Sequence, residues 1–305
     1  ATTSQLDAIS NGAGNIAASN TININNNSVA IGYPNVAAAG NTINGIINSS
    51  SANTVNINSN TVSQIPAVNL AGTGTWIMIE GGSPGGTLNT NNNIVSNIVR
   101  TGASGTFRGV KAATPVGLWT CTGNLVENIS YSTVASTGSI DGIFDANSAT
   151  LINISSNIIR NLSTPTTGTI NGIRINTITG THTCNNNQVY NFSTTAGGVG
   201  GATFAGISFS VGNLSASGNT IYALNSTGST GGTGGAITGF FQGGGTTNTI
   251  FNNKIYNLSS SSTGVTVYGM NISGGTTNTI YNNIIGDLRA SAANLANAIR
   301  GIDVA

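Results

Sequence analysis

The stretch GTTNTIFNNKIYNLSSS, Gly245–Ser261, is written again 30 residues later as GTTNTIYNNIIGDLRAS, Gly275–Ser291. In both copies an Ile (Ile250, Ile280) precedes a pair of Asn, and another (Ile255, Ile285) follows it. Taking the second Asn as a marker finds the phrase throughout the chain. The markers are Asn27, Asn60, Asn93, Asn124, Asn157, Asn187, Asn219, Asn253 and Asn283, with a mean spacing of 32 residues. Self-similarity at a fixed period of this size identifies a repeat architecture.

A second marker, apolar-x-Gly-apolar, recurs once per period. It reads INGI at Ile43–Ile46, FRGV at Phe107–Val110, IDGI at Ile140–Ile143 and IRGI at Ile299–Ile302. The copy WIMI at Trp76–Ile79 carries Met78 where Gly is expected, and the sequence offers no account of how the backbone accommodates it. The arc from Gly to the next Asn has a nearly constant length. The arc from Asn to the next Gly varies and is rich in Ser, Thr and Gly. One fixed arc and one tolerant loop describe a coil of a solenoid.

The columns set against the marker predict what points inward. Five and three residues before it stand Ile22/Ile24, Val55/Ile57, Leu88/Thr90, Trp119/Cys121, Ile152/Ile154, His182/Cys184 and Leu214/Ala216, with polar residues between them. Alternation with period 2 is that of a strand buried on one face. Two residues after the marker every position is Val or Ile, from Val29 to Ile285. Helical repeats of similar length need a 3.6-residue apolar period, which is absent.

The marker Asn is expected to take the left-handed conformation at a turn. Stacked on its equivalents, it is expected to form an Asn ladder along the axis. The Gly column predicts a close backbone approach that a Cβ would obstruct. Cys121 and Cys184 share a column two coils apart, about 9.6 Å by strand spacing, too far for a disulfide. Free buried thiols are therefore expected. His182 lies in an inward column without the third ligand a metal site needs, so a buried, hydrogen-bonded His is expected and no cofactor.

Composition agrees with an all-β chain. Charged residues are 5%, with 8 Lys+Arg against 7 Asp+Glu, and Gly numbers 43. Disordered chains combine low hydrophobicity with high net charge; here the net charge is +1 and 38% of residues are hydrophobic. Near-neutrality removes the basic surface a nucleic acid requires. No apolar run approaches the roughly 20 residues of a membrane-spanning helix, and ATTSQLDAIS at the start lacks the features of a signal peptide.

The pattern resembles the right-handed parallel β-helix, with three short strands per coil, about nine coils and an Asn ladder at one turn. GTTNTIYNNIIGDL, NNKIYNLSSSSTG and VYGMNISGG look like β-helix repeats of giant secreted or cell-surface proteins of Bacteroidetes-type bacteria. The resemblance implies one β-helix domain over 1–305, with 1–20 an irregular first coil and 21–305 regular, as part of a longer chain or assembly. It implies an extracellular or cell-surface stalk, filament segment or adhesin. The partners to expect are further coils, other copies of itself, glycans or cell surfaces.

Parallel β-helices also include polysaccharide lyases and glycoside hydrolases, which need clustered carboxylates or a proton-abstracting base. The candidates here are Glu80, Arg108, Lys111, Asp141, Asp145 and Arg174. Alignment on the Gly column puts Glu80 beside Lys111 and Arg108 beside Asp141, the pattern of surface cross-strand ion pairs. Tyr190, Tyr222 and Tyr256 occupy one outward column and are candidates for glycan contact by ring stacking. The outward column Asn23, Asn56, Asn89, Thr120, Asn153, Thr183, Ser215, Thr249 and Thr279 is a regular uncharged array that admits an ice-binding reading. Asn-x-Ser/Thr matches, such as those at Asn161 and Asn257, arise from the repeat itself.

Overall fold

The structure, a computed structural model, describes residues 5–14, 20–32, 42–66, 70–102, 104–113, 116–132, 137–146, 149–164, 168–176, 180–194, 202–226 and 233–305. The described residues form 28 strands and no helix. The strands fall into three parallel sheets, which we call A, B and C, of ten, nine and nine strands. The chain visits them in the order A, B, C, nine times, and adds a tenth strand to sheet A. One coil, for example, is Ser139–Asp145 in A, Ala149–Ser155 in B and Ile158–Thr164 in C. The molecule is an all-β parallel β-solenoid.

Like pairs with like between coils, as the columns predict. In sheet C, Val126 is in register with Val95 and Ile159. In sheet B, Trp119 lies between Leu88 and Ile152. A one-residue slip would turn every apolar side chain outward, so the repeated columns fix register strongly. Within the stack the aliphatic and aromatic columns are fully buried, including Trp76, Phe107, Trp119, Phe192, Phe204 and Phe240. Each such side chain contributes roughly 1.5–3 kcal/mol, and no single coil could bury it alone. Thr90 departs from the apolar column but accepts the indole N–H of the adjacent Trp119 at 2.9 Å.

Gln5–Asn11 is the first strand of sheet A and pairs in parallel with Thr42–Asn48. Residues 1–4 and 15–19 lie outside the described set.

The marker Asn is not the left-handed residue. That conformation belongs to the residue before it: Asn26, Ser59, Asn92, Gly123, Ser156, Asn186, Gly218, Asn252 and Asn282 all have φ between 53° and 68°. The marker's side chain serves the ladder instead. Asn60, for instance, gives its backbone N–H and its Nδ2–H to Oδ1 of Asn93, at 2.9 and 3.1 Å. Its other Nδ2 hydrogen goes to the Ile24 carbonyl at 2.8 Å. The same donation to the next marker links all nine Asn from Asn27 to Asn283. Only a primary amide supplies two donors and an accepting oxygen in this geometry.

The Gly column is explained by contact. A Cβ on Gly142 would lie 2.6 Å from the Gly172 carbonyl oxygen and 2.7 Å from Ile159 Cγ2. Met78 breaks the column yet is fully buried; its unbranched, flexible thioether suits an irregular gap.

Candidate functional site

Two outward clusters gather the residues that could carry chemistry. The first is on sheet C, three residues after the marker, where one register column runs Glu127, Arg160, Tyr190, Tyr222, Tyr256 and Gly286. Strand alternation turns this column outward, and strand spacing sets its rings one above another. Tyr190 and Tyr222 stack with centroids 4.6 Å apart and planes 7° from parallel; Tyr222 and Tyr256 stack at 5.1 Å and 2°. Arg160 Nη1 donates to the Tyr190 hydroxyl at 3.0 Å, and Arg160 Nη2 pairs with Glu127 at 2.6 Å. The Tyr190 and Glu127 acceptors both stabilise the Arg160 guanidinium and raise its pKa.

Sequence placed the three Tyr correctly in one column but not their ring orientation. The inner faces cover one another. A pyranose cannot lie on a face already occupied by a ring at stacking distance, so the strip offers solvent its edges and hydroxyls. A sugar ring cannot intercalate between the three rings, which leaves ring edges, hydroxyls and the Tyr256 face toward Gly286 for glycan contact.

The second cluster is on sheet A. Lys111 Nζ lies 3.1 Å from Glu80, and the register pairs these two residues directly. Arg108 and Asp141 are likewise opposite, with Nε 3.6 Å from Oδ2. Arg174 reaches Asp141 Oδ2 at 3.1 Å. Phe144 lies between the two guanidiniums, which stand 4.0 and 4.5 Å from its ring centre.

The two pairs of Asp141 are not surface pairs. Asp141 has no exposed area, and its Oδ1 accepts from Asn171 Nδ2 at 2.8 Å. Burial pushes its carboxyl pKa up, while Arg174, Asn171 and Arg108 pull it back. Both oxygens are engaged and neither meets solvent, so Asp141 has no path to a polysaccharide. Asp145, also fully buried, has a partner of its own.

Two further polar features escaped the sequence reading. Arg100 is fully buried over Trp76, 4.1 Å from the ring centre, and over Tyr131 at 4.9 Å. Its Nη atoms donate to the Tyr131 hydroxyl at 2.9 Å and to the carbonyls of Gly72 and Gly74 at 2.9 and 2.8 Å. Burial lowers its pKa and raises that of Tyr131 to about 12.

A second Asn ladder runs four residues after the marker. Asn128 Nδ2 donates to Asn97 at 2.9 Å, Asn161 to Asn128 at 2.8 Å and Asn191 to Asn161 at 2.7 Å. All four take φ between 56° and 59°. The recurring Asn-x-Ser matches at Asn128, Asn161 and Asn191 were its trace in the sequence.

His182 was singled out in the sequence. It is buried as expected, 6.0 Å from the Phe209 ring, but neither ring nitrogen has a hydrogen-bond partner among the described residues. Desolvation lowers its pKa to about 4. Cys121 and Cys184 are free and buried, and burial raises the Cys121 thiol to about 12. Among the described residues no group of three or more His, Cys, Asp or Glu is placed to hold a metal ion.

No protein-family model matches the chain, and no curated protein or solved structure matches it.

Proposed function

We propose that the chain is a non-catalytic extracellular β-solenoid of a bacterial surface, a rigid stalk or filament segment that also carries adhesive faces. One observation carries the reading: nine coils share a single buried Asn ladder and three sheets without a break. Such a stack resists bending because each coil is hydrogen-bonded to its neighbours in all three sheets and through the ladder. Its acids support a structural role. Glu80, Glu127, Asp141, Asp287 and Asp303 each pair with an Arg or Lys.

The extracellular assignment rests on the likeness of the repeat phrases to those of giant secreted proteins. End-to-end partners fit the polarity of the ladder, in which each marker Asn donates to the next one along the chain. Electron microscopy and small-angle scattering test the reading. Rods about 43 Å long for the described stack, at about 4.8 Å per coil, or integral multiples of that length, are expected. A flexible or globular particle would overturn it. So would turnover of any polysaccharide that is lost in Asp141→Asn.

A further inference from the structure

The charges are distributed unevenly among the three faces. All 8 basic and 7 acidic residues lie in strands of sheets A and C, and none lies in sheet B. The outward columns of sheet B and its trailing turn lie six, four and two residues before the marker. Coils one to three read Thr21/Asn23/Asn25, Thr54/Asn56/Asn58 and Thr87/Asn89/Asn91. Over nine coils every outward position is Thr, Asn or Ser except Leu118, Leu151, Phe251 and Tyr281.

The side chains of this face are held in place. Asn56 donates to Asn23 and Asn89 to Asn56, both at 2.8 Å. Thr183 Oγ1 donates to Asn153 Oδ1 at 3.2 Å. Asn25 and Asn58 each accept a backbone N–H from the next coil at 2.8 Å. Among the described residues the strand pairing shows no register shift in sheet B; the one bulge is in sheet A. The result is an ordered, neutral grid of hydroxyl, methyl and amide groups, repeating about 4.8 Å between strands and about 6.6 Å along them.

Most partners fit this face poorly. A nucleic acid needs basic residues. A protein interface needs a broad desolvated aromatic or apolar centre; here the two aromatics, Phe251 and Tyr281, sit together at one end, stacked on each other at 5.0 Å, and the middle of the face carries only the adjacent pair Leu118 and Leu151. A membrane surface needs a broad apolar or cationic face. A lattice of water needs none of these. Oxygens hydrogen-bonded tetrahedrally at about 2.75 Å place their second neighbours about 4.5 Å apart, close to the strand repeat. An ionic group would impose its own hydration shell on such a lattice, and this face has none.

We infer that the outer face of sheet B adsorbs to ice, with the Thr and Asn columns ordering water in register with the crystal. The inference is independent of the stalk reading, which requires no affinity for ice. The test uses the whole chain, measuring its incorporation into a slowly growing ice hemisphere together with thermal hysteresis.

Incorporation and a measurable hysteresis gap are expected for the wild-type chain. The double variant Asn153→Lys, Thr183→Lys should lose at least tenfold in incorporation. Ser193→Lys on sheet C should retain it. Thr183→Leu, which disturbs the grid without charge, covers the case in which the double variant melts early, and should also weaken adsorption. Exclusion of the wild-type chain from the ice overturns the inference, as does equal adsorption by the sheet B and sheet C variants. Binding to crystalline cellulose or chitin without adsorption to ice overturns it too.

Discussion

Replacing Asn157 by Ala removes the middle rung of the buried ladder. Asn157 Oδ1 accepts the backbone N–H and an Nδ2–H of Asn124, each at 2.9 Å. Its Nδ2 donates to the Cys121 carbonyl and to Asn187 Oδ1, each also at 2.9 Å. In the variant, Asn187 Oδ1 keeps the backbone N–H of position 157, at 3.0 Å. The two donors of Asn124 have no such substitute. Each orphaned buried donor costs about 1–3 kcal/mol, so the local loss is about 4 kcal/mol. That corresponds to roughly a thousandfold faster exchange of the Asn124 amide hydrogen through local opening.

Hydrogen exchange is the right assay because a solenoid opens coil by coil rather than all at once. Asn27→Ala provides the comparison. Asn27 only donates to the ladder, so its loss orphans no donor and should change exchange less than about tenfold. Asn157→Asp keeps the size but turns an oxygen toward the Cys121 carbonyl and Asn187 Oδ1, and should be no better than Ala. Protection of Asn124 within tenfold of wild type in Asn157→Ala would refute the directed-ladder account. Full protection in Asn157→Asp would show that the column needs volume, not amide donors.

His182 makes stability depend on pH. With a folded pKa of about 4 against about 6.5 unfolded, the unfolded chain takes up the proton first as pH falls. Stability is therefore lost between about pH 6.5 and pH 4, by about 3 kcal/mol in all, and His182→Leu should flatten that part of the pH–melting curve. Gly142→Ala puts a Cβ against the Gly172 carbonyl and Ile159; denaturation should show a loss of about 2 kcal/mol or more, whereas Gly286→Ala, with open space around it, should be silent. Arg100→Met should cost about 3 kcal/mol by leaving the Gly72 and Gly74 carbonyls and the Tyr131 hydroxyl without their donor, with increased proteolysis near residues 70–75 as the readout. Cys121 and Cys184 should resist alkylation at pH 8 until the chain unfolds, since both are buried and the Cys121 thiol titrates at about 12.

Most of the fold was legible in the sequence because a solenoid turns a long-range problem into a periodic one. Residues about 32 apart become neighbours, so Val62 beside Val95, or Glu80 beside Lys111, can be read by counting. The same count gave the core columns, the spacing that keeps Cys121 and Cys184 apart, and the Asn that form the ladder. It also placed Tyr190, Tyr222 and Tyr256 in line.

Counting along columns carries no information on backbone torsion, ring orientation or what lies beneath a turn. Only the tertiary structure showed that the left-handed residue precedes the marker Asn: in five coils both positions are Asn and equally suited to it, although Gly123 and Gly218 stood at the preceding position in two others. Only the structure covered the Tyr faces with one another, since a shared column fixes a distance and not a plane. It also buried Asp141 under Phe144, Arg108 and Arg174 and enclosed Arg100 at a corner, where side chains from different coils and loops meet. The segregation of charge from sheet B was present in the sequence throughout. It became visible when the folded coil assigned each charged position to a face.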